Sequence, residues 1–163
     1  MASVTNKSFL APSGFKILID RKNFGSLEYT VQQATHGSVS LSPNEVMYRQ
    51  TSIKEAGDTL DYSDVTFEII LEENLDNYKE IHNWLRRLVQ QNTQSQSDRG
   101  SNLPNEVDIS LMVLSSHNNT TNRIVYRDAF PTDLGVITFD AAVDGVQYAT
   151  VPVTFSYSYF DVI

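Results

Sequence analysis

Alternation with a period of two runs through most of the chain. From Val151 onward every odd position is apolar or aromatic (Val151, Val153, Phe155, Tyr157, Tyr159), and Pro152, Thr154, Ser156 and Ser158 stand between them. Successive side chains on a strand point to opposite faces, so this spacing predicts a half-buried strand with both tyrosines in the core. Val65, Phe67, Ile69 and Leu71 repeat the pattern within Tyr62–Leu71, and Val107, Ile109, Leu111 and Val113 do so until Met112 blurs it. Phe15, Ile17 and Ile19 begin a first strand and Leu27, Tyr29 and Val31 a second, an opening β-hairpin. The fold class is mainly β: two packed antiparallel sheets in a barrel-like sandwich, with one flanking helix.

The last strands allow a register argument. A two-residue Asp144-Gly145 turn sets Phe139 opposite Thr150, apolar against polar. A three-residue loop Val143-Asp144-Gly145, with Gly145 left-handed, sets Ile137 opposite Val151. A slip of one residue inverts every side chain, so the second register is expected.

One segment has helical spacing, over about 75–90. Tyr78, Ile81, Leu85 and Leu88 form a stripe with Trp84 at its edge; Asn74 is placed to cap the start, and Arg86 and Arg87 lie near the end. Two stretches follow neither period. Gln90–Asn105 is polar apart from Leu103 and reads as a long loop. Pro43–Asp61 is a loop of another kind: it keeps Val46, Met47, Tyr48 and Ile53 beside Arg49, Lys54 and Glu55. Apolar anchors in a loop need a surface to bury them, in the same domain or in a neighbour.

Length and composition narrow the class. With 163 residues, 40% of them apolar, a single domain spanning 1–163 is expected. No cysteine is present, which excludes a disulfide framework and any thiolate nucleophile or ligand. The formal charge of −8 argues against general nucleic-acid binding. It is unevenly spread, +3 over residues 1–54 and −11 over 55–163, and such asymmetry can orient copies of one subunit in a stack. No apolar run approaches a membrane span, and the N-terminus lacks the pattern of a secretory signal, so intracellular synthesis is expected.

Catalytic chemistry finds no support. His36, His82 and His117 have no second ligand at helical or hairpin spacing, and Glu72-Glu73 would point to opposite faces of a strand. No nucleophile elbow, dinucleotide fingerprint or phosphate-binding loop is present. No cofactor, metal or catalytic residue is therefore expected. The Asn118-Asn119-Thr120-Thr121 sequons read as turn residues.

The order of elements resembles the tail tube proteins of contractile-tailed bacteriophages, whose fold is shared with type VI secretion tubes. The resemblance spans nearly the whole chain. It is carried by Ala56-Gly57-Asp58 leading into Tyr62-Ser63-Asp64-Val65-Thr66-Phe67, by the helix with Trp84, by Phe130-Pro131-Thr132-Asp133-Leu134-Gly135, and by the closing Val153–Phe160 strand. Phe130 stands where relatives often carry Trp, and the 90–105 stretch is unusually polar.

The resemblance implies a structural virion protein: six copies form a ring, and rings stack into the inner tube of a tail assembled in the host cytoplasm. Its implied partners are other copies, the tail sheath protein, and baseplate and terminator proteins, with DNA passing through the lumen unbound. Val46, Met47, Tyr48, Arg49, Ile53 and Lys54 are then candidates for contact between subunits or rings. The inner sheet would come from residues around 27–57 and 107–127, making Ser38, Ser40, Asp108, Ser110, Arg123 and Arg127 lumen candidates. A single-ring tube initiator or cap is the alternative of the same fold. A β-sandwich carbohydrate-binding module presenting Tyr157 and Tyr159 is the alternative of another class.

Overall fold

The longest strand organises the rest. The computed structural model describes residues 10–20, 22–25, 27–28, 30–93, 104–140 and 147–163. Its elements are β1 (Phe15–Leu18), β2 (Val31–Thr35), β3 (Val39–Leu41), β4 (Asn44–Tyr48), β5 (Thr51–Glu55), β6 (Leu60–Tyr62), β7 (Val65–Ile70), α1 (Asp76–Thr93), β8 (Val107–Leu114), β9 (Thr120–Leu134), β10 (Thr150–Ser156) and β11 (Tyr159–Val162). The 15-residue β9 pairs with β8 on one side. On its other side it pairs with β11 through residues 124–127 and with β10 through residues 130–134. It thereby belongs to two layers. One contains β1, β8, the first half of β9 and β11; the other contains the second half of β9, then β10, β7 and β2. All these pairings are antiparallel.

The inward faces of the layers form one core. Ile17, Ile109, Leu111 and Tyr126 come from the first; Val65, Phe67, Ile69, Val151, Val153 and Phe155 come from the second. The odd-numbered alternation in β7, β8 and β10 is thus the buried face, as its period requires. Among the described residues the pairing path ends at β1 and β2 without joining them, so the sandwich is open and not a closed barrel.

Helix α1 covers the core with Ile81 and Trp84, both fully buried. Trp84 sits at the centre of the contact and not at its edge: its ring stacks on Phe24 at 4.1 Å and lies 5.9 Å from Phe155. Its indole N–H donates to the Asn105 carbonyl at 2.8 Å, so the polar end of the ring is satisfied. Buried Asn77 donates to the Ile70 carbonyl at 2.7 Å and ties the helix to the end of β7.

Several expectations are corrected by these pairings. The opening hairpin does not exist: β1 pairs with β8 and β2 with β7, placing the two strands in different layers. The second strand begins at Val31; Leu27 and Glu28 are buried turn residues, and Tyr29 lies outside the described residues. Leu75, at φ 55°, flanks the helix where Asn74 was placed, its carbonyl accepting the Lys79 amide at 2.9 Å. The helix continues to Thr93, which takes Gln90–Thr93 out of the expected loop and leaves Arg86 and Arg87 short of the last turn. Residues 94–103 of that loop, including Leu103, lie outside the described residues.

The β9–β10 register also differs. Val153 faces Leu134, and pairing stops where the Gly135 amide donates to Pro152, so Ile137 is not opposite Val151. Counting back from a loop assumes that pairing continues to it; here the strands part first. The Val143-Asp144-Gly145 loop itself lies outside the described residues. Tyr159 is exposed because the backbone breaks at Tyr157-Ser158 between β10 and β11, shifting the inward position to Phe160.

Trp84→Ala should lower unfolding free energy by about 3–5 kcal/mol, the usual cost of emptying so large a buried site. Denaturant unfolding followed by circular dichroism checks it; a loss below about 1 kcal/mol would mean that the helix does not close the core.

Candidate functional site: an exposed arm and a face of paired charges

Residues 38–63, read in part as a loop, form a two-stranded arm. β3 pairs with β6 near the base and β4 with β5 toward the tip. The Ser63 amide donates to the Ser38 carbonyl at 3.0 Å and closes the base. At the tip Tyr48 faces Thr51, leaving a two-residue turn whose first residue, Arg49, has φ 56°. A positive angle there suits the tight turns that follow the twist of a ribbon. Gly57 makes the join between the two paired segments possible, because a Cβ there would stand 1.8 Å from the Ser42 carbonyl oxygen.

The arm carries the apolar residues without burying them. Val46 faces Ile53, while Val39 and Leu41 face Tyr62 and Leu60 in the other segment. Val39, Leu41, Val46, Tyr48, Ile53 and Leu60 are all exposed, and Met47 is 78% exposed. Burying such side chains yields roughly 25 cal/mol per Å² of apolar surface, which this arm does not gain from its own domain. Val46, Met47, Tyr48, Arg49, Ile53 and Lys54 are thus brought together at the outer end. The signal missed in the sequence is period two across residues 44–55, obscured because both faces of the ribbon carry apolar groups.

The six lumen candidates separate into two groups. Ser38 and Ser40 belong to the arm, with Ser38 tied to Ser63 and Ser40 facing Asp61. Residues 27–57 divide between β2, which lies at the β7 end of the same seven-stranded path as β8 and β9, and the arm. Asp108, Ser110, Arg123 and Arg127 do come together, on the face of β8 and β9 opposite the core. Arg127 donates to Asp108 and, at 3.4 Å, to Asp161 of β11. Arg123 donates to Ser110 at 3.2 Å, and Ser110 is buried beneath it. The Arg127 guanidinium is held further above its ordinary range by its hydrogen bond to Asp108. Among the described residues no group of three His, Asp or Glu is placed to hold a metal ion. No helix there is long and apolar enough to cross a membrane.

A histidine marks the joint between arm and sandwich. His36 follows β2 and precedes Gly37, whose missing Cβ would otherwise meet the Ser63 carbonyl at 2.2 Å. Its Nδ1 lies 2.7 Å from the hydroxyl of fully buried Tyr126, and its ring packs edge-on to Phe160 at 4.8 Å. Burial drives the Tyr126 phenol far above its ordinary value, with Tyr157 adding to the effect, so the hydroxyl keeps its proton and can donate it. Tyr157 donates to the Ser63 carbonyl at 2.9 Å from the same cluster.

No family model matches the chain, and no curated protein sequence matches it. Solved structures do. A chain from the PVC extracellular contractile injection system, sheath/tube terminator in the extended state, superposes with a TM-score of 0.69 at 15% identity, covering 97% of this chain and 99% of that one. A chain from the anti-feeding prophage baseplate gives 0.68 at 11% identity, covering 98% and 97%. An Hcp protein gives 0.50 at 11% identity, covering 90% and 89%. The chain shares its fold with these components of contractile injection systems and with the Hcp protein.

Burial lowers the His36 imidazole from its ordinary value of 6.5. The folded state then binds fewer protons than the unfolded chain in acid. The resulting stability is present above pH 6.5 and declines as the pH falls through the lowered value. Unfolding midpoints of the parent should therefore fall more steeply than those of His36→Gln between pH 7.5 and 5; parallel curves would refute this contribution.

Proposed function

We propose that this chain is a structural subunit of the inner tube of a contractile phage tail, forming six-membered rings that stack around a channel for genome delivery. Its role is mechanical and not catalytic, and its partners are further copies, the sheath, the baseplate and the terminator. The single observation that carries the reading is the arm, an ordered ribbon of exposed apolar side chains within a tail-tube fold. An arm of this kind becomes stable in water by lying against another surface. The tip residues Val46, Met47, Tyr48, Arg49, Ile53 and Lys54 make that contact.

The channel wall in this reading is the face bearing Asp108, Ser110, Arg123 and Arg127. Arg127 there is neutralised by Asp108 and Asp161, which reduces the cationic surface open to phosphate, while Arg123 is hydrogen-bonded to Ser110. Ser38 and Ser40, being on the arm, belong instead with the contact between copies.

Negative-stain microscopy of purified protein tests the proposal. Stacked tubes support the repeating subunit, single rings support a cap or initiator, and monomers at all concentrations overturn both. Replacing Val46, Met47 and Tyr48 together with Ser should leave circular dichroism unchanged and abolish stacking. Unfolding of the triple variant, or tubes as abundant as the parent's, would remove the arm from this role.

A further inference from the structure

All of the chain's sulfur lies in thioethers, since it has three methionines and no cysteine. Two-electron oxidants that elsewhere find a thiolate meet only methionine sulfur here. Met47 and Met112 lie in strands, and their surroundings differ. Met47 is 78% exposed near the tip of the arm and faces Ser52 across the ribbon. Alternation puts the Glu45–Lys54 ion pair on the same side of the ribbon as Met47, with Val46 and Ile53 on the other. The Ser52 hydroxyl donates to Glu45 at 3.4 Å, and so short a side chain leaves the sulfur uncovered. Met112 is partly buried in β8 opposite Arg123, and its sulfur accepts the Thr120 hydroxyl at 3.9 Å.

From this contrast we infer that Met47 is a reversible oxidation site that decides whether a free subunit can assemble. The inference rests on the self-assembly proposed above and adds its regulation. The oxidant is hydrogen peroxide. A lone pair of the Met47 Sδ attacks one peroxide oxygen, forming the S–O bond as the O–O bond breaks. The sulfur gives up two electrons, and the second oxygen leaves as water with both protons. Reversal takes two electrons and two protons from a thiol donor and releases the added oxygen as water. With no cysteine the chain cannot supply that thiol, so a separate reductase must reach the exposed tip.

Oxidation changes what a contact at the tip must bury. A thioether is apolar and flexible and fits an irregular surface. A sulfoxide is polar and loses its hydration when covered without a donor to replace it. The monomer is indifferent to the change, because an exposed residue on the arm contributes nothing to the core. Assembly also reverses the accessibility. Once the tip is covered peroxide no longer reaches the sulfur, so oxidation acts on free subunits and spares finished assemblies.

Limited treatment of the dilute, unassembled chain with hydrogen peroxide, followed by peptide mass spectrometry, tests the site. Met47 should gain one oxygen about tenfold faster than Met112, and equal rates would overturn the assignment. Sedimentation tests the effect on assembly. The oxidised parent should keep its circular dichroism and lose most of its pelletable assemblies. The two methionine sulfoxide reductases, one for each epimer, should restore them with dithiothreitol as donor. Met47→Leu keeps the apolar volume and should assemble like the parent with or without peroxide, whereas Met47→Gln should behave as the oxidised chain does. Oxidised parent or Met47→Gln that assembles as well as untreated parent would overturn the control by Met47 while leaving self-assembly standing. So would Met47→Leu that loses assembly in peroxide. Failure of the untreated parent to assemble at any concentration would overturn self-assembly and this regulation with it.

Discussion

One carboxylate permits the central strand to serve two layers. Asp108 stands opposite two residues of β9, since Val107 faces Ala129 while Ile109 faces Tyr126. The extra residue forces a bulge, with Asp128 at φ 54°. The Asp128 amide, displaced from the regular ladder, finds an acceptor in the Asp108 carboxylate at 3.3 Å, and Arg127 neutralises the same group. Without this local compensation a displaced amide and a left-handed aspartate would both destabilise the bend. With it, β9 changes neighbour from β11 to β10, and Tyr126 and Ala129 on either side of the bulge both remain in the core.

The bend has consequences at both ends of the sandwich. On one side it positions buried Tyr126 to meet His36 and so fixes where β2 gives way to the arm. On the other it directs the end of β9 alongside β10, where the strands separate around an open cleft lined by exposed Val136, Phe139 and Tyr148. The core is therefore complete within one chain, while apolar surface accumulates at two places that the core cannot reach. A fold so divided is suited to assembly, because removing either exposed set costs the folded monomer little.

The charges of the β8–β9 face show why a strand position does not by itself assign a role. Asp108 and Ser110 alternate with buried residues as lining positions would, yet one staples a bulge and the other lies beneath Arg123. Their polarity is accounted for by neighbours within the chain. Any part they play in a channel is additional to that structural work.

Period-two alternation by itself determined the mainly β class and the buried faces of β7, β8 and β10, and the helical spacing over about 75–90 determined the helix that brings Ile81 and Trp84 to the core. These are local consequences of side-chain direction and hold whatever strand lies alongside. Pairing is not local. Only the folded chain decided that β1 joins β8 and β2 joins β7, because the choice depends on the bend in β9 and on complementary faces far apart in sequence. The Tyr157-Ser158 break likewise inverted the exposure expected of Tyr159, and the early parting of β9 and β10 displaced the register counted from Gly145. The exposed arm was legible as apolar residues with no core to enter. Its shape as a paired ribbon, and the cleft at the opposite end of the sheet, came from tertiary structure alone, since apolar composition records what must be buried but not against which surface.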